Sequence, residues 1–217
     1  MSEVPDRFVR SGASSYVRGL PHPDAMDGAS ESRRAPAMAI PDGRTVRMSK
    51  KSKHDGKGKG STPATLQLEQ AGVPFETYEY EHSNDHMDDG YGVEAATKLG
   101  FDEHQVFKTL MADTGSERVV GVVPVSGHMD LKALAAAVGA KKAAMADPKV
   151  AMRESGYVVG GISPLGQKVR HRTVLDESAL KYDRILLSGG KRGFSVGVNP
   201  QDLLKVLDAV AAPIGTW

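Results

Sequence analysis

The stretch Val106-Phe107-Lys108-Thr109-Leu110-Met111, Asp113-Thr114-Gly115-Ser116 and Arg118-Val119-Val120-Gly121-Val122-Val123-Pro124-Val125 holds two runs of strand-forming residues around a short polar break. β-Branched and apolar residues dominate both runs, and Asp, Gly and Ser supply the reversal between them, which is the pattern of two neighbouring strands. Alternation places Val106, Lys108 and Leu110 on one face and Phe107, Thr109 and Met111 on the other, so a single cation interrupts an otherwise apolar strand. By itself such a lysine fits a side chain snorkelling from a sheet edge. Opposite a ligand-binding loop it fits neutralisation of an oxyanion or a phosphate, which partial desolvation strengthens.

Outward from this pair the elements are of both kinds. Upstream, Thr62-Pro63 reads as an N-cap followed by proline at the first helical position, opening a helix that Gly72 stops. Phe75 to Tyr80 alternates as a strand, and Gly92 to Leu99 is a short helix closed by Gly100. Downstream, Leu131 to Val138 is helical, and Asp147-Pro148 opens a further helix reaching about Ser155. Val169 to Leu175, Arg184 to Ser188 and Phe194 to Val198 read as strands, and Asn199-Pro200 caps a last helix running to about Ala211. Strands in pairs with helices interspersed predict an α+β fold: one compact domain over residues 61–217, with a mixed β-sheet and surrounding helices. No internal repeat is evident.

Two glycine-rich turns stand out in the second half. Gly160-Gly161-Ile162-Ser163-Pro164-Leu165-Gly166 fixes backbone geometry while leaving few side chains in the way, which is how a loop offers bare N–H groups to a ligand. Ser188-Gly189-Gly190-Lys191-Arg192-Gly193 is the second. With Lys108 they predict a small pocket for a polar, anionic substrate.

The 217 residues are 40% hydrophobic and 25% charged, the composition of a globular protein. The absence of cysteine excludes disulfides, Cys-based zinc sites and a protein thiol nucleophile, and is compatible with a reducing cytoplasm. No apolar stretch approaches the roughly 18 residues of a membrane helix and the amino end lacks a signal-peptide core, which argues against membrane insertion and secretion. The net charge of +1 conceals an asymmetry: residues 69–130 carry 3 basic and 13 acidic groups, residues 141–192 carry 11 and 5. The basic half is where a phosphate backbone fits, although such blocks also arise as solvated faces. Residues 1–60 hold 12 Lys/Arg and 7 Asp/Glu, lack periodicity and are expected to be a disordered basic extension with nonspecific attraction to RNA. Met48-Ser49-Lys50-Lys51 reads as a plausible natural start, which makes part of the upstream sequence a candidate extension.

Several motifs fail on inspection. Gly193-Phe194-Ser195-Val196-Gly197 matches the string of a nucleophile elbow, but Ser195 lies in an alternating strand and no histidine follows it. Gly190-Lys191 is followed by Arg192 where a phosphate loop needs Ser or Thr for magnesium, and Ile185 stands where its first glycine belongs. His82 and His86 are four apart among Asp85, Asp88 and Asp89, a spacing that can hold a metal on a helix but reads here as a solvated loop. No metal or cofactor is expected.

From Thr62 to about Ile214 the chain resembles the YbaK/ProX-like aminoacyl-tRNA deacylases, in particular their YbaK type. The resemblance is carried by Thr62-Pro63-Ala64, Pro74-Phe75 with Tyr80 and His82, Glu94-Ala95-Ala96, Phe107-Lys108-Thr109-Leu110, Gly156-Tyr157 through Lys168, and Ser188 through Gly193, in that order and spacing. It implies a trans-editing hydrolase that removes cysteine from mischarged Cys-tRNA(Pro) beside prolyl-tRNA synthetase in the cytoplasm. It also implies attack by the substrate's own thiol, which would make the chemical step lyase-like. Editing of alanine or serine, or a noncatalytic tRNA- or synthetase-binding module, stays open. The family's catalytic positions fall on Lys108 and the backbone of Gly160 and Gly161. Its substrate-binding positions fall on Tyr80, Thr109, Ile162, Ser163, Pro164, Ser188, Gly189 and Arg192. The loop 83–91 looks longer than usual for the family, which makes Tyr91 the candidate for closing the pocket.

Overall fold

The computed structural model describes residues 61–82 and 90–217; the expected basic extension and His86, Asp85, Asp88 and Asp89 lie outside them. In chain order the first elements are α1 (Pro63–Gln70), β1 (Phe75–Glu79), α2 (Tyr91–Leu99), β2 (Phe107–Asp113), β3 (Arg118–Pro124), β4 (His128–Met129), α3 (Leu131–Ala137) and β5 (Ala144–Met145). Then come α4 (Pro148–Ser155), β6 (Arg172–Asp176), a 3₁₀ turn (Glu177–Lys181), β7 (Ile185–Lys191), β8 (Phe194–Val198), α5 (Pro200–Leu207), β9 (Val210–Ala212) and β10 (Gly215–Thr216).

Of the five α-helices among the described residues, four, all but α2, start where a side chain satisfies the orphan N–H groups of the first turn. The Thr62 hydroxyl accepts from the Thr65 N–H (3.2 Å), while Thr65 Oγ1 accepts from the Thr62 N–H (2.9 Å). Asp147 and Asn199 cap α4 and α5 in the same way, each with proline next in line. Gly100 and Gly156 end α2 and α4 in the left-handed region, where glycine carries no Cβ penalty.

Two sheets carry the fold. One is antiparallel, in the order β1-β8-β7; the other is mixed, in the order β5-β2-β3-β6-β9, with β3-β6 and β6-β9 parallel. Phe107, Met111, Val120, Val122 and Leu175 of the mixed sheet pack towards Ile185, Leu187, Val196 and Val198 of the antiparallel one. The opposite face of the mixed sheet, Ala112, Val119, Val123 and Val174, packs on Leu134 of α3 and on Ile214. A sheet covered on both faces explains why β3 is an almost continuous apolar run instead of an alternating one. At β2 the sheets meet: Val106 forms a parallel bridge with Leu186.

The α+β class with a mixed sheet is as the sequence predicts, and the structure corrects three boundaries. The last helix stops at Leu207, not Ala211, because Asp208 takes a left-handed φ of 52°, and Val210–Ala212 pair instead with β6. Strand β6 begins at Arg172, not Val169: Val169 and Lys168 donate their N–H groups back to Glu154 and Ser155, which spends them on the end of α4. Strand β7 continues past Ser188 to Lys191, with a bulge between those residues.

Candidate active site

Strand β2 is paired along its whole length on one side and only at its ends on the other. β3 covers it from Phe107 to Asp113; on the second side β5 reaches Ala112 and Asp113, and the Val106–Leu186 bridge holds the start. Between those points no described residue pairs with that edge, and β2 and β7 diverge around a cleft of about 370 Å³. The ladder fixes what that edge presents. Ala146 donates to the Met111 carbonyl (2.9 Å) and Val125 to the Val106 carbonyl (2.8 Å), so odd-numbered residues of β2 turn their backbone groups away from β3. The N–H and C=O of Thr109 therefore face the cleft.

Lys108, Thr109, Tyr80, Tyr91, Gly160, Ile162 and Ser188 all line this space. Lys108 is half-buried, and its ammonium donates to the carbonyls of Gly127 (2.5 Å) and Val125 (3.4 Å). Burial lowers its pKa from the ordinary lysine value, because the charged form loses hydration. Two of the three ammonium protons are thus engaged, leaving one for a ligand. The Thr109 hydroxyl is buried and has no hydrogen-bond partner among the described residues. A buried orphan hydroxyl costs about 1–3 kcal/mol, a cost that ligand binding can recover. Ser188 Oγ accepts from the Gly190 N–H (3.2 Å), which leaves its own proton to donate. Burial first, and Glu94 second, raise the pKa of Tyr80, keeping that phenol a hydrogen-bond donor.

The two glycine turns touch each other backbone to backbone. A Cβ on Gly161 would sit 3.1 Å from Lys191 main-chain atoms, and Arg192 Nε donates to the Val159 carbonyl (2.9 Å). Gly160 has a φ of +83°, and a Cβ there would lie 2.6 Å from the Tyr91 ring. Only glycine lets that turn lie flat on the aromatic face. The Arg192 guanidinium covers Tyr91 as well, 4.7 Å from its centroid. Tyr91 also stacks on His82 at 5.2 Å.

Five sequence-expected residues do not line the cleft. The Gly161 N–H is spent on the Val158 carbonyl (2.9 Å), so of the two glycines Gly160 is the one placed to offer a backbone donor. Ser163 is fully buried and its hydroxyl accepts from Leu165. Pro164 lines a different depression, beside Gln67 and Arg170. The Gly189 carbonyl accepts from Thr62 Oγ1 (2.6 Å), tying α1 to the second turn, and Arg192 braces Tyr91. Conversely, the cleft includes residues the sequence reading did not single out: Met145, Ala146, Pro148 and Ala151, from β5 and the start of α4. They are too short a run to show periodicity. The second omission is a buried network. Glu94 receives His82 Nδ1 (2.6 Å) on one oxygen and Lys98 Nζ (2.8 Å) on the other, and Lys98 also donates to the Glu81 carbonyl. The i,i+4 spacing of Glu94 and Lys98 was the available signal.

The family description "aminoacyl-tRNA editing domain" matches residues 90–206. A protein of Enterococcus faecalis provisionally named Cys-tRNA(Pro)/Cys-tRNA(Cys) deacylase EbsC is 37% identical over 158 residues, which is 71% of this chain and 93% of the relative. Among solved structures, one provisionally described as a trans-editing enzyme for prolyl tRNA synthetase aligns over 75% of this chain and 100% of its own, with a TM-score of 0.64 and 22% identity. Another, of hypothetical protein APE2540, aligns over 71% and 100% with a TM-score of 0.64 and 20% identity. The structural matches establish the same fold. Among the described residues no helix is long and apolar enough to cross a membrane.

Proposed function

The chain belongs to the aminoacyl-tRNA editing domain family, and from that premise we propose that residues 61–217 form a deacylase domain that frees cysteine from mischarged Cys-tRNA(Pro). The observation that carries this reading is the convergence, in one cleft, of Lys108, the partnerless Thr109 hydroxyl and the Gly160 turn. An aminoacyl ester is already activated, so its catalyst has to fix the carbonyl against a nucleophile and stabilise the oxyanion. The cleft suits both tasks. The Gly160 N–H and the Lys108 ammonium serve the developing charge, and the low-dielectric surroundings that lower the lysine pKa strengthen that interaction. Thr109, Tyr80 and Ser188 orient the terminal nucleotide, and Tyr91 closes the wall, held by His82 and Arg192.

The chain contains no cysteine, and the substrate supplies the nucleophile. Its sulfur bonds to the ester carbonyl carbon, the bond from that carbon to the ribose oxygen breaks, and the thiol proton ends on the ribose hydroxyl. Water then opens the thiolactone to free cysteine. The reaction takes place in the cytoplasm beside prolyl-tRNA synthetase, whose mischarged product it consumes. The basic groups concentrated in residues 141–192 suit the approach of the acceptor stem.

The test is a deacylation panel over Cys-, Ala-, Ser- and Pro-tRNA(Pro), with and without the synthetase, at enzyme far below substrate. Multiple turnovers on Cys-tRNA(Pro) and slow release of serine support the reading. Equal rates for serine and cysteine would reassign the nucleophile to water, preference for alanine would reassign the substrate, and binding without release would remove the catalytic role.

A further inference from the structure

Lys108 is held by two carbonyls on a turn whose near side is tied to β3 and to the start of β2 by the N–H groups of Gly127 and Val125. Val125 and Gly127 follow β3, where the Gly127 N–H closes a turn on the Pro124 carbonyl (3.3 Å). The far side of that turn is covered by a segment almost ninety positions later. A Cβ on Gly127 would lie 2.5 Å from the Thr216 carbonyl and 2.8 Å from the Trp217 ring, so the indole and the chain before it rest directly on the glycine. Trp217 also stacks edge-on against His104 (5.8 Å), which pairs through Nδ1 with Ser126 Oγ (3.0 Å). Ser126 belongs to the same turn.

The covering segment is itself pinned. Gly215 and Thr216 pair with Met129 and His128, and Asp130 donates its N–H to the Ile214 carbonyl (2.8 Å). Ile214 is fully buried in the α3 cluster. Asp176, buried at 2% exposure, accepts from the N–H groups of Ile214 (2.9 Å) and Gly215 (2.7 Å) on one oxygen, and from Ser178 on the other. A buried carboxylate that receives this many donors is a fixed point. It lies at the end of β6, two strands from β2.

We propose that residues 214–217 act as a clasp that positions the Lys108 ammonium, with Asp176 as its anchor and Trp217 as the contact that sets the Gly127 carbonyl. The geometry allows a division of labour: β2 places the lysine's backbone, and the clasp places the acceptors that fix where its charge sits and keep water from its far side. This rests on the role of Lys108 proposed above. Trp217 and Asp176 are positioning residues, since neither lines the cleft. The titratable side chains on the elements packed around the turn and the cleft mouth include His104, His128, Asp130, Asp176, Tyr80, His82, Tyr91, Glu94 and Lys191, and the variants below leave all of them in place.

The experiment compares Trp217→Ala, Trp217→Phe and Gly127→Ala with the parent and with Lys108→Ala. Trp217 is 67% exposed, so its truncation removes little core. Gly127→Ala tests the same contact from the other side, with the covering segment's sequence intact. Single-turnover deacylation of Cys-tRNA(Pro) gives the rate constant for folded protein, and ¹³Cε NMR follows the lysine whose resonance vanishes in Lys108→Ala. Trp217→Ala and Gly127→Ala are each expected to lose about 10-fold in rate constant at unchanged substrate affinity, the effect of shifting a reacting group by a fraction of an ångström. In both, the Lys108 resonance titrates at higher pH, because water reaches the ammonium; Trp217→Phe restores parent values. If both variants match the parent in rate and titration while Lys108→Ala is inactive, the clasp is refuted and the role of Lys108 stands. If Lys108→Ala deacylates at the parent rate, the premise itself falls.

Discussion

The two ends of β2 are built from similar residues and do opposite things. At its carboxyl end, Met111, Ala112 and Asp113 are flanked by β3 on one side and β5 or its continuation on the other, and Met111 and Ala112 are buried in the two main clusters. At its amino end, Lys108 and Thr109 share the same β3 partner but face open space on the second side, with an ammonium half out of water and a hydroxyl without a partner. Both ends belong to one strand, β2; what separates them is how completely their polar groups are satisfied. A fully paired strand end has no backbone hydrogen bond left to offer a ligand. An incompletely paired one carries free-energy costs that a ligand can offset.

The largest expected effect sets the two ends directly against each other. Lys108→Ala should lower kcat/KM for Cys-tRNA(Pro) about 100-fold or more, the scale of losing one oxyanion donor, with little change in unfolding midpoint. Ala112→Gly, four residues along and outside the cleft lining, should lower stability by about 1–2 kcal/mol through the lost buried methyl and the poorer strand residue and leave the specific activity of folded protein unchanged. Measured together by steady-state kinetics and urea unfolding, a pair of variants that lose activity and stability in parallel would dissolve the distinction.

Gly160→Ala tests the opposite wall of the cleft. The new methyl would overlap the Tyr91 ring, and the left-handed φ would cost an alanine about 1–2 kcal/mol. Displacing Tyr91 and the turn together should reduce kcat/KM by about 10- to 100-fold. Gly161→Ala meets Lys191 main-chain atoms at 3.1 Å without a left-handed φ, and its N–H is already spent within the turn. It is therefore expected to be the milder of the two, and the reverse order in the same assay would move the backbone donor from Gly160 to Gly161.

Much of this arrangement was legible in the sequence, because it is written in local rules. Thr62-Pro63, Asp147-Pro148 and Asn199-Pro200 announce three helices through capping chemistry, and the reversal at Asp113–Ser116 announces the hairpin that contains Lys108. Two glycine turns separated by some thirty residues stand out by composition alone, and in the structure they pack on each other. What stayed hidden depends on distant partners. β4 and β10 are two residues each, too short for any periodicity, and exist because Asp176 gathers the N–H groups of Ile214 and Gly215. The end of α5 turns on one left-handed aspartate. The sequence places a cation in β2, but no local pattern assigns its protons to Gly127 and Val125, and none tells that the Gly161 N–H is consumed by Val158.

Thr109→Val separates binding from stability with opposite signs. Valine matches threonine in shape and suits a strand, so the change removes only the orphan hydroxyl. The expected loss in kcat/KM is about 3- to 10-fold, the worth of one neutral hydrogen bond to substrate, while stability rises by up to about 1 kcal/mol as an unsatisfied buried group disappears. Thermal unfolding and kinetics on the same preparation check both. A drop in stability would mean that the hydroxyl has a partner in the free protein, and the amino end of β2 would then resemble its carboxyl end.

The smallest effect concerns the charge of Lys108 in the absence of substrate. Its pKa is lowered on folding by burial, so between the lowered value and the ordinary lysine value near 10.4 the unfolded chain binds more protons than the native one, and this group makes stability rise with pH. Below that window the native state bears the full cost of a partly dehydrated ammonium. Lys108→Met removes that cost, so the variant should be at least as stable as the parent at pH 7, with its advantage shrinking as pH climbs through the window. Tyr78 and Tyr157, whose pKa values burial pushes up to about 12, act oppositely above pH 10, where the unfolded chain loses protons that the native one keeps. Both tyrosines are present in parent and variant, so the difference between the two urea-unfolding curves isolates the lysine. A difference that stays flat from pH 7 to 10 would place the ammonium in full contact with water, and the contrast between the strand's two ends would then rest on Thr109 alone.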